Sequence, residues 1–152
     1  MTAIHENQPI VTFAEITDSQ SLNEVFAIRR VVFVEEQQVD AEEEYDEFES
    51  SSRHFLLRVA GQGVATGRFR STDKGWKVER MAVLAGERGK GFGAQVLRGM
   101  LALIPKDGRP IYLHAQEHAL AFYRKNDFLP EGERFWEANI PHFKCVYKQP
   151  MG

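Results

Sequence analysis

Between Trp76 and Pro105 the chain changes its hydrophobic period, and that change limits the folds open to it. WKVERMAVL, Trp76 to Leu84, alternates as a strand does. Val96, Leu97, Met100, Leu101 and Ile104 then mark one face of a helix that Pro105 ends. Glycines at 89, 91 and 93 lie between the two, in the stretch ERGKGFG. A strand, a glycine loop and an amphipathic helix in succession require a layered arrangement in which the helix covers a sheet.

The remaining segments extend this pattern. Ile10 to Ile16 alternates toward a strand, and Asp18 or Ser19 can cap a helix from about Ser21 to Glu36, with Leu22, Val25, Phe26, Ile28 and Val32 at helical spacings. From Glu35 to Glu49 nine of fifteen residues are acidic, which predicts a charged loop with one helical turn at most. HFLLRVA and VATGRFRS, separated by Gly61-Gln62-Gly63, read as a hairpin. Arg109 to Ala115 is an expected strand, Glu117 to Lys125 a short helix, and the segment ending Phe143 to Tyr147 supplies one or two more strands. The expectation is one domain over residues 1–152 with a mixed α/β sheet and helices on its faces.

Composition narrows the function. A formal charge of -3 lacks the basic excess of a general nucleic-acid binder. No apolar run is long enough for a membrane helix, and MTAIHENQPI has neither the basic start nor the apolar middle of a signal peptide. The single cysteine, Cys145, cannot form an internal disulfide or a cysteine-cluster metal site. These absences lead to an expected cytoplasmic location with no membrane or nucleic-acid partner. His114 and His118 are four apart, but His114 falls on an expected strand and no third ligand is evident, so no metal is expected. Cys145 reads as a buried, inert thiol.

A helix start offers backbone N–H groups without partners and a partial positive charge. Glycines at 89, 91 and 93 would let phosphate approach that start, and Arg88 and Lys90 add formal charge. The same glycines could also serve turn geometry alone. The residues after Gly91 are Phe92-Gly93, without the Lys-Ser/Thr pair of a P-loop. A dinucleotide fold would place its glycine loop after the first strand, not the fourth.

Arg88-x-x-Gly91-x-Gly93, following a strand that ends Met81-Ala82-Val83, resembles the acyl-CoA signature of the GNAT superfamily of N-acetyltransferases. AFYRKNDF, Ala121 to Phe128, is similar to the later Phe-Tyr-x-x-x-Gly-Phe element of that superfamily. RRVVFVEEQQV, the Glu-rich segment before His54, Ala115-Gln116 and Ile140 to His142 resemble the small bacterial ElaA-like branch. The resemblance covers most of the chain. One departure is Asp127, which stands where the family usually has glycine before Phe128 and takes a left-handed helix cap less readily than glycine does.

The resemblance implies a mixed, mostly antiparallel sheet whose two central strands splay apart, with helices on both faces. It implies acetyl-CoA as co-substrate: Met81, Ala82 and Val83 lining the pantetheine arm, and Arg88, Gly89, Lys90, Gly91, Phe92, Gly93 and Ala94 holding the pyrophosphate. Transfer to a primary amine, most simply that of a small molecule, would use Glu79 as base through water and Tyr123 as acid toward the departing thiolate. His114 and His142 stay open as alternative bases. For the acceptor, the resemblance points to Arg29, Gln37, Glu44, His114, Gln116 and His142. The acidic segment could attract an ammonium group or could be solvated surface. The rival reading is a non-catalytic acyl-CoA-binding or sensing module, and the oligomeric expectation is a monomer or homodimer.

Overall fold

The computed structural model describes residues 8–149. Strand β1 (Val11–Ile16) leads through Asp18, whose carboxylate accepts the Ser21 N–H at 2.8 Å, into helix α1 (Ser19–Arg29). The expected helix to Glu36 is present only in part. From Arg30 to Glu36 the winding widens to a π-helix, and the Gln37 N–H donates to Val32 O at 3.1 Å. Val31, Val32 and Val34 are β-branched and crowd a tight α-turn, so the wider turn costs this stretch less. A one-turn helix α2 (Ala41–Glu44) is all that forms in the acidic segment.

Strands β2 (Arg53–Val59), β3 (Gln62–Thr72) and β4 (Gly75–Val83) form an antiparallel meander. Helix α3 (Phe92–Leu103) returns the chain to β5 (Ile111–Gln116) beside β4. A 3-10 turn (Glu117–Ala119), helix α4 (Leu120–Lys125) and the strands β6 (Phe128–Glu137) and β7 (Ile140–Tyr147) complete the order. The sheet runs β1-β2-β3-β4-β5-β7-β6, and only β4 and β5 are parallel. Asp127 adopts a left-handed φ of 70° and so ends α4 as a glycine would.

Both faces of the sheet are covered, though unequally. Phe55, Leu57, Phe69, Val78 and Leu113 pack against Val96, Leu97 and Met100 of α3, while Leu56 and Ala82 meet Val25, Ile28 and Val32 on the opposite face. The α1 side of β4, β5 and β7 carries Lys77, Glu79, His114 and Lys144, and their period-2 positions put these polar groups on one open face.

Two irregularities create the space between the central strands. Pairing of β4 with β5 extends only over Trp76–Val78 and Ile111–Leu113. Beyond that point β4 carries a bulge at Arg80, whose φ is 57°, opposite Gly67 of β3. The bulge breaks the alternation, so that Glu79 and Ala82 both face α1, while Met81 reaches Met100 and the core under α3.

The start of the β4–β5 pairing depends on Gly75. Its φ is 135°, and an added Cβ would lie 2.3 Å from Pro110 O, the carbonyl that accepts the Trp76 N–H at 2.8 Å. Backbone cannot yield as a side-chain tip can. Gly75→Ala should therefore cost more than about 2 kcal/mol in chemical denaturation. Gly67→Ala, which meets only the flexible ends of Met81 and Met100, should cost less.

Candidate active site

The splay of β4 from β5 opens a cleft of about 1270 Å³ that runs from the glycine loop to the open polar face. At one end, α3 begins after Gly91, whose φ is 84°, and the first intrahelical amide outside its opening turn is Gln95 N, donating to Gly91 O at 3.1 Å. The amides of Phe92, Gly93 and Ala94 precede it and have no turn of helix to donate to. Gly89 is also left-handed, with φ 79°, and the loop meets no neighbour where Cβ atoms would stand on Gly89 and Gly91. Arg88, Gly89, Gly91, Phe92, Gly93 and Ala94 all line the cleft, as do Met81, Ala82 and Val83 along β4. Lys90 is exposed and pairs with Glu87 at 3.1 Å. Arg88 is likewise engaged, in a two-pronged pair with Glu36 at 2.6 and 2.9 Å.

Midway along the cleft, α4 presents Tyr123 beside Phe122. The residue is 9% exposed, and burial pushes its phenol well above the usual tyrosine range. Its hydroxyl therefore remains a donor throughout the physiological range.

Glu79, on β4, has a 7% exposed side chain held by three cations. Arg70 Nε donates at 2.7 Å, Arg68 Nη2 at 2.9 Å, and Lys77 Nζ lies 3.1 Å away. Burial opposes its ionisation, but the Arg70 hydrogen bond and the charges of Arg68 and Lys77 prevail and hold the carboxyl at about 2. It is thus a fully neutralised anion.

His114 and His142 enter from β5 and β7. His114 Nδ1 lies 2.9 Å from Glu137 Oε2, and with its proton there the ring keeps a lone pair on Nε2. The hydrogen bond from His114 lowers the Glu137 carboxyl. Phe135 packs between the two rings, at centroid distances of 4.9 Å from His114 and 5.8 Å from His142. Gln116 donates to Gln37 Oε1 at 2.8 Å, which ties β5 to the segment after the π-helix. Gln37, Glu44, His114, Gln116 and His142 all line the cleft.

Arg29 departs from its expected place. Its side chain is 1% exposed and lies beneath the cleft, clamped by Glu44 and Glu49. The acidic segment divides: Glu36 and Glu43 are exposed at the cleft and Glu35, Asp40, Glu42 and Glu47 are exposed elsewhere, while the other three carboxylates turn inward. Glu44 faces Arg29 and Arg80, and Asp46 and Glu49 hold Arg68 at 2.7 and 2.8 Å, so its inward carboxylates are spent on buried arginines. Burial pushes the Glu44 carboxyl up despite its two arginines.

Residues 5–148 match the family described as Acetyltransferase (GNAT) domain. The chain belongs to the GNAT acetyltransferase family. It is 35% identical over 131 residues to the "Uncharacterized N-acetyltransferase YjcF" of Bacillus subtilis (strain 168), covering 85% of this chain and 94% of that protein. The protein ElaA of Escherichia coli (strain K12) is 30% identical over 135 residues, covering 85% of this chain and 88% of ElaA. The ElaA crystal structure superposes with a TM-score of 0.82 at 24% identity, over 91% of this chain and 100% of that one. A GNAT family acetyltransferase from Elizabethkingia anophelis with acetyl-CoA bound gives a TM-score of 0.66 at 14% identity, over 90% and 94%. The mixed, mostly antiparallel sheet with splayed central strands is therefore the GNAT fold, and the family relation carries acyl transfer from acyl-CoA with it.

Two residues that line this GNAT cleft, Lys77 and Glu137, lay outside what the sequence pointed to. Arg68 and Arg70 did carry a signal: two arginines at strand spacing within the apolar VATGRFR place a charge on a buried face. Glu137 carried none, because its contact with His114 spans a hairpin. Among the described residues no group of three or more His, Cys, Asp or Glu is placed to hold a metal ion, and no helix is long and apolar enough to cross a membrane.

Proposed function

We propose that this protein is an acetyl-CoA-dependent N-acetyltransferase acting on a primary amine of a small molecule. The observation that carries the reading is Tyr123, a protonated phenol lining the cleft that also holds the unpaired edge of β4 and the glycine loop. A pure cofactor binder needs no donor at that point. Beyond Val78 the edge of β4 has no strand partner, so an extended pantetheine arm can pair with it as an added strand would. The amides of Phe92, Gly93 and Ala94 suit the pyrophosphate. Acetyl-CoA itself is favoured by the Elizabethkingia neighbour, whose structure holds it.

The amine nitrogen attacks the thioester carbonyl carbon, the tetrahedral intermediate collapses, and the carbon–sulfur bond breaks to release an amide and the CoA thiolate. An alkylammonium near pKa 10 must first lose a proton. Transfer to a carboxylate held at about 2 would be uphill by roughly 8 pK units, or about 11 kcal/mol. We therefore assign the base role to His114, backed by Glu137, and give Glu79 the task of fixing Arg68, Arg70 and Lys77. An imidazole oriented by a carboxylate is the better proton acceptor. Tyr123 donates a hydrogen bond to the thiolate as it forms. Its raised pKa makes it a poor source of a fully transferred proton, which solvent supplies instead.

The test is thiol release from acetyl-CoA over a panel of primary amines. Amine-dependent release is expected. Saturable CoA binding with no turnover on any amine would instead leave a binding or sensing module.

A further inference from the structure

The open polar face does not end at the catalytic cleft. A second cavity of about 280 Å³ adjoins it, and Lys77 and His114 line both. Its other walls include Arg70, Lys74, Tyr112 and Lys144. Four cations therefore face a space in which Asp73 is the single carboxylate wall residue. Arg70 and Lys77 share Glu79, but Arg70 is anchored through Nε and Nη2 only, stacked 3.7 Å from the Phe48 ring centroid. Among the described residues Lys144 and Lys74 have no carboxylate partner. The Lys144 ammonium stands 5.3 Å from the Tyr112 ring centroid, and the Tyr112 hydroxyl is 2.8 Å from Thr72 Oγ1.

Such a pocket recognises an anion. Two lysines without a carboxylate, beside Arg70 and Lys77 that share the single Glu79, leave an excess of positive charge that suits a carboxylate or a phosphate. The position sets the length of the ligand. His114 and Lys144 are direct partners across the antiparallel β5–β7 ladder, so their Cβ atoms lie roughly 5 Å apart. An amine presented to His114 and an anion held by Lys144 then belong to one short molecule.

We propose that the acceptor is a short zwitterion, an amine carrying a carboxylate or phosphate a few bonds away, with its anionic group bound by Lys144, Arg70 and Lys77. The inference rests on the acyltransferase reading of the cleft. It opposes a polyamine acceptor, because the cations of this second cavity would repel one and the inward carboxylates Glu44, Asp46 and Glu49 are already bound to Arg29, Arg68 and Arg80.

The experiment compares matched amines with the full chain: 3-aminopropyl phosphate against 3-amino-1-propanol, β-alanine against β-alaninamide, and spermidine. The anionic member of at least one pair should exceed its neutral counterpart in kcat/KM by about tenfold or more, the scale of a charge-assisted hydrogen bond. The pair that responds tells phosphate from carboxylate. Lys144→Gln should reduce that ratio to within about threefold, mainly through KM for the anionic amine, with Lys77→Gln as a second variant should the first fold poorly. Preference for spermidine or for the neutral members, or a ratio that Lys144→Gln leaves intact, overturns the proposal. Absence of any thiol release would count against the enzyme reading alone. The same pairs titrated calorimetrically into the CoA-loaded protein then decide: tighter binding of the anionic members supports the pocket, and equal binding refutes it.

Discussion

Tyr123→Phe should lower kcat for amine acetylation by about 10²-fold or more while leaving acetyl-CoA binding within a fewfold of the parent, since only the hydroxyl is lost. The ring stays packed against Phe122 and Phe128, so stability should change little. Steady-state kinetics with acetyl-CoA and amine varied separately would show this split. Because the phenol lies above the usual tyrosine range, its loss should reduce the rate equally across pH 6 to 9 and remove no limb of the pH profile. His114→Gln, by contrast, should lower kcat by removing the proton acceptor itself. An undiminished rate in Tyr123→Phe would show that the thiolate leaves without help from this hydroxyl.

The second large effect concerns the charges under the cleft. Arg68 is fully buried and serves Asp46, Glu49 and Glu79 together. Removing one partner of a buried ionic network leaves uncompensated charge, so Arg68→Met should cost about 3–5 kcal/mol in urea denaturation at pH 7. Arg68→Lys should recover only part of this, since an ammonium cannot span three carboxylates as a planar guanidinium does. Acid should act on the same network. The Glu79 carboxyl, at about 2, lies below its unfolded value of about 4.3, so it contributes stability above pH 4.3 that is lost as pH falls through 2. That contribution is about 3 kcal/mol. In Arg68→Met the depression should shrink, and acid unfolding followed by circular dichroism should begin at higher pH. A parent and variant with the same acid midpoint would remove Arg68 as the cause.

Cleft and network together explain why an acidic segment stands beside a site for an amine. Its inward carboxylates do not solicit the substrate. They neutralise Arg29, Arg68 and Arg80, and Lys144 is left without a carboxylate among the described residues. The energetic cost of burying Arg29 and Arg68 is offset only while Glu44, Asp46 and Glu49 are docked, so the loop is fastened to the wall of the site.

Local pattern was enough for most elements. Period 3.6 in VLRGMLALI and period 2 in HFLLRVA and WKVERMAVL act over a few residues, and those strands and α3 fall where expected. The glycine loop was legible for the same reason, because left-handed φ at Gly89 and Gly91 is a property of those residues themselves. The π-helical end of α1 was not, since helical spacing of apolar residues does not separate α from π winding over two turns.

What the chain determined by itself was the order of elements, the glycine-led start of α3 and the family to which both belong. What the tertiary structure decided was the state of each charge. Glu79, a candidate base in the sequence, is shared by Arg68, Arg70 and Lys77. His114 acquires Glu137 from 23 residues away, and Lys144 stands without a carboxylate among the described residues. Ionisation and pairing depend on burial and on distances between strands far apart in sequence, and no local pattern encodes those.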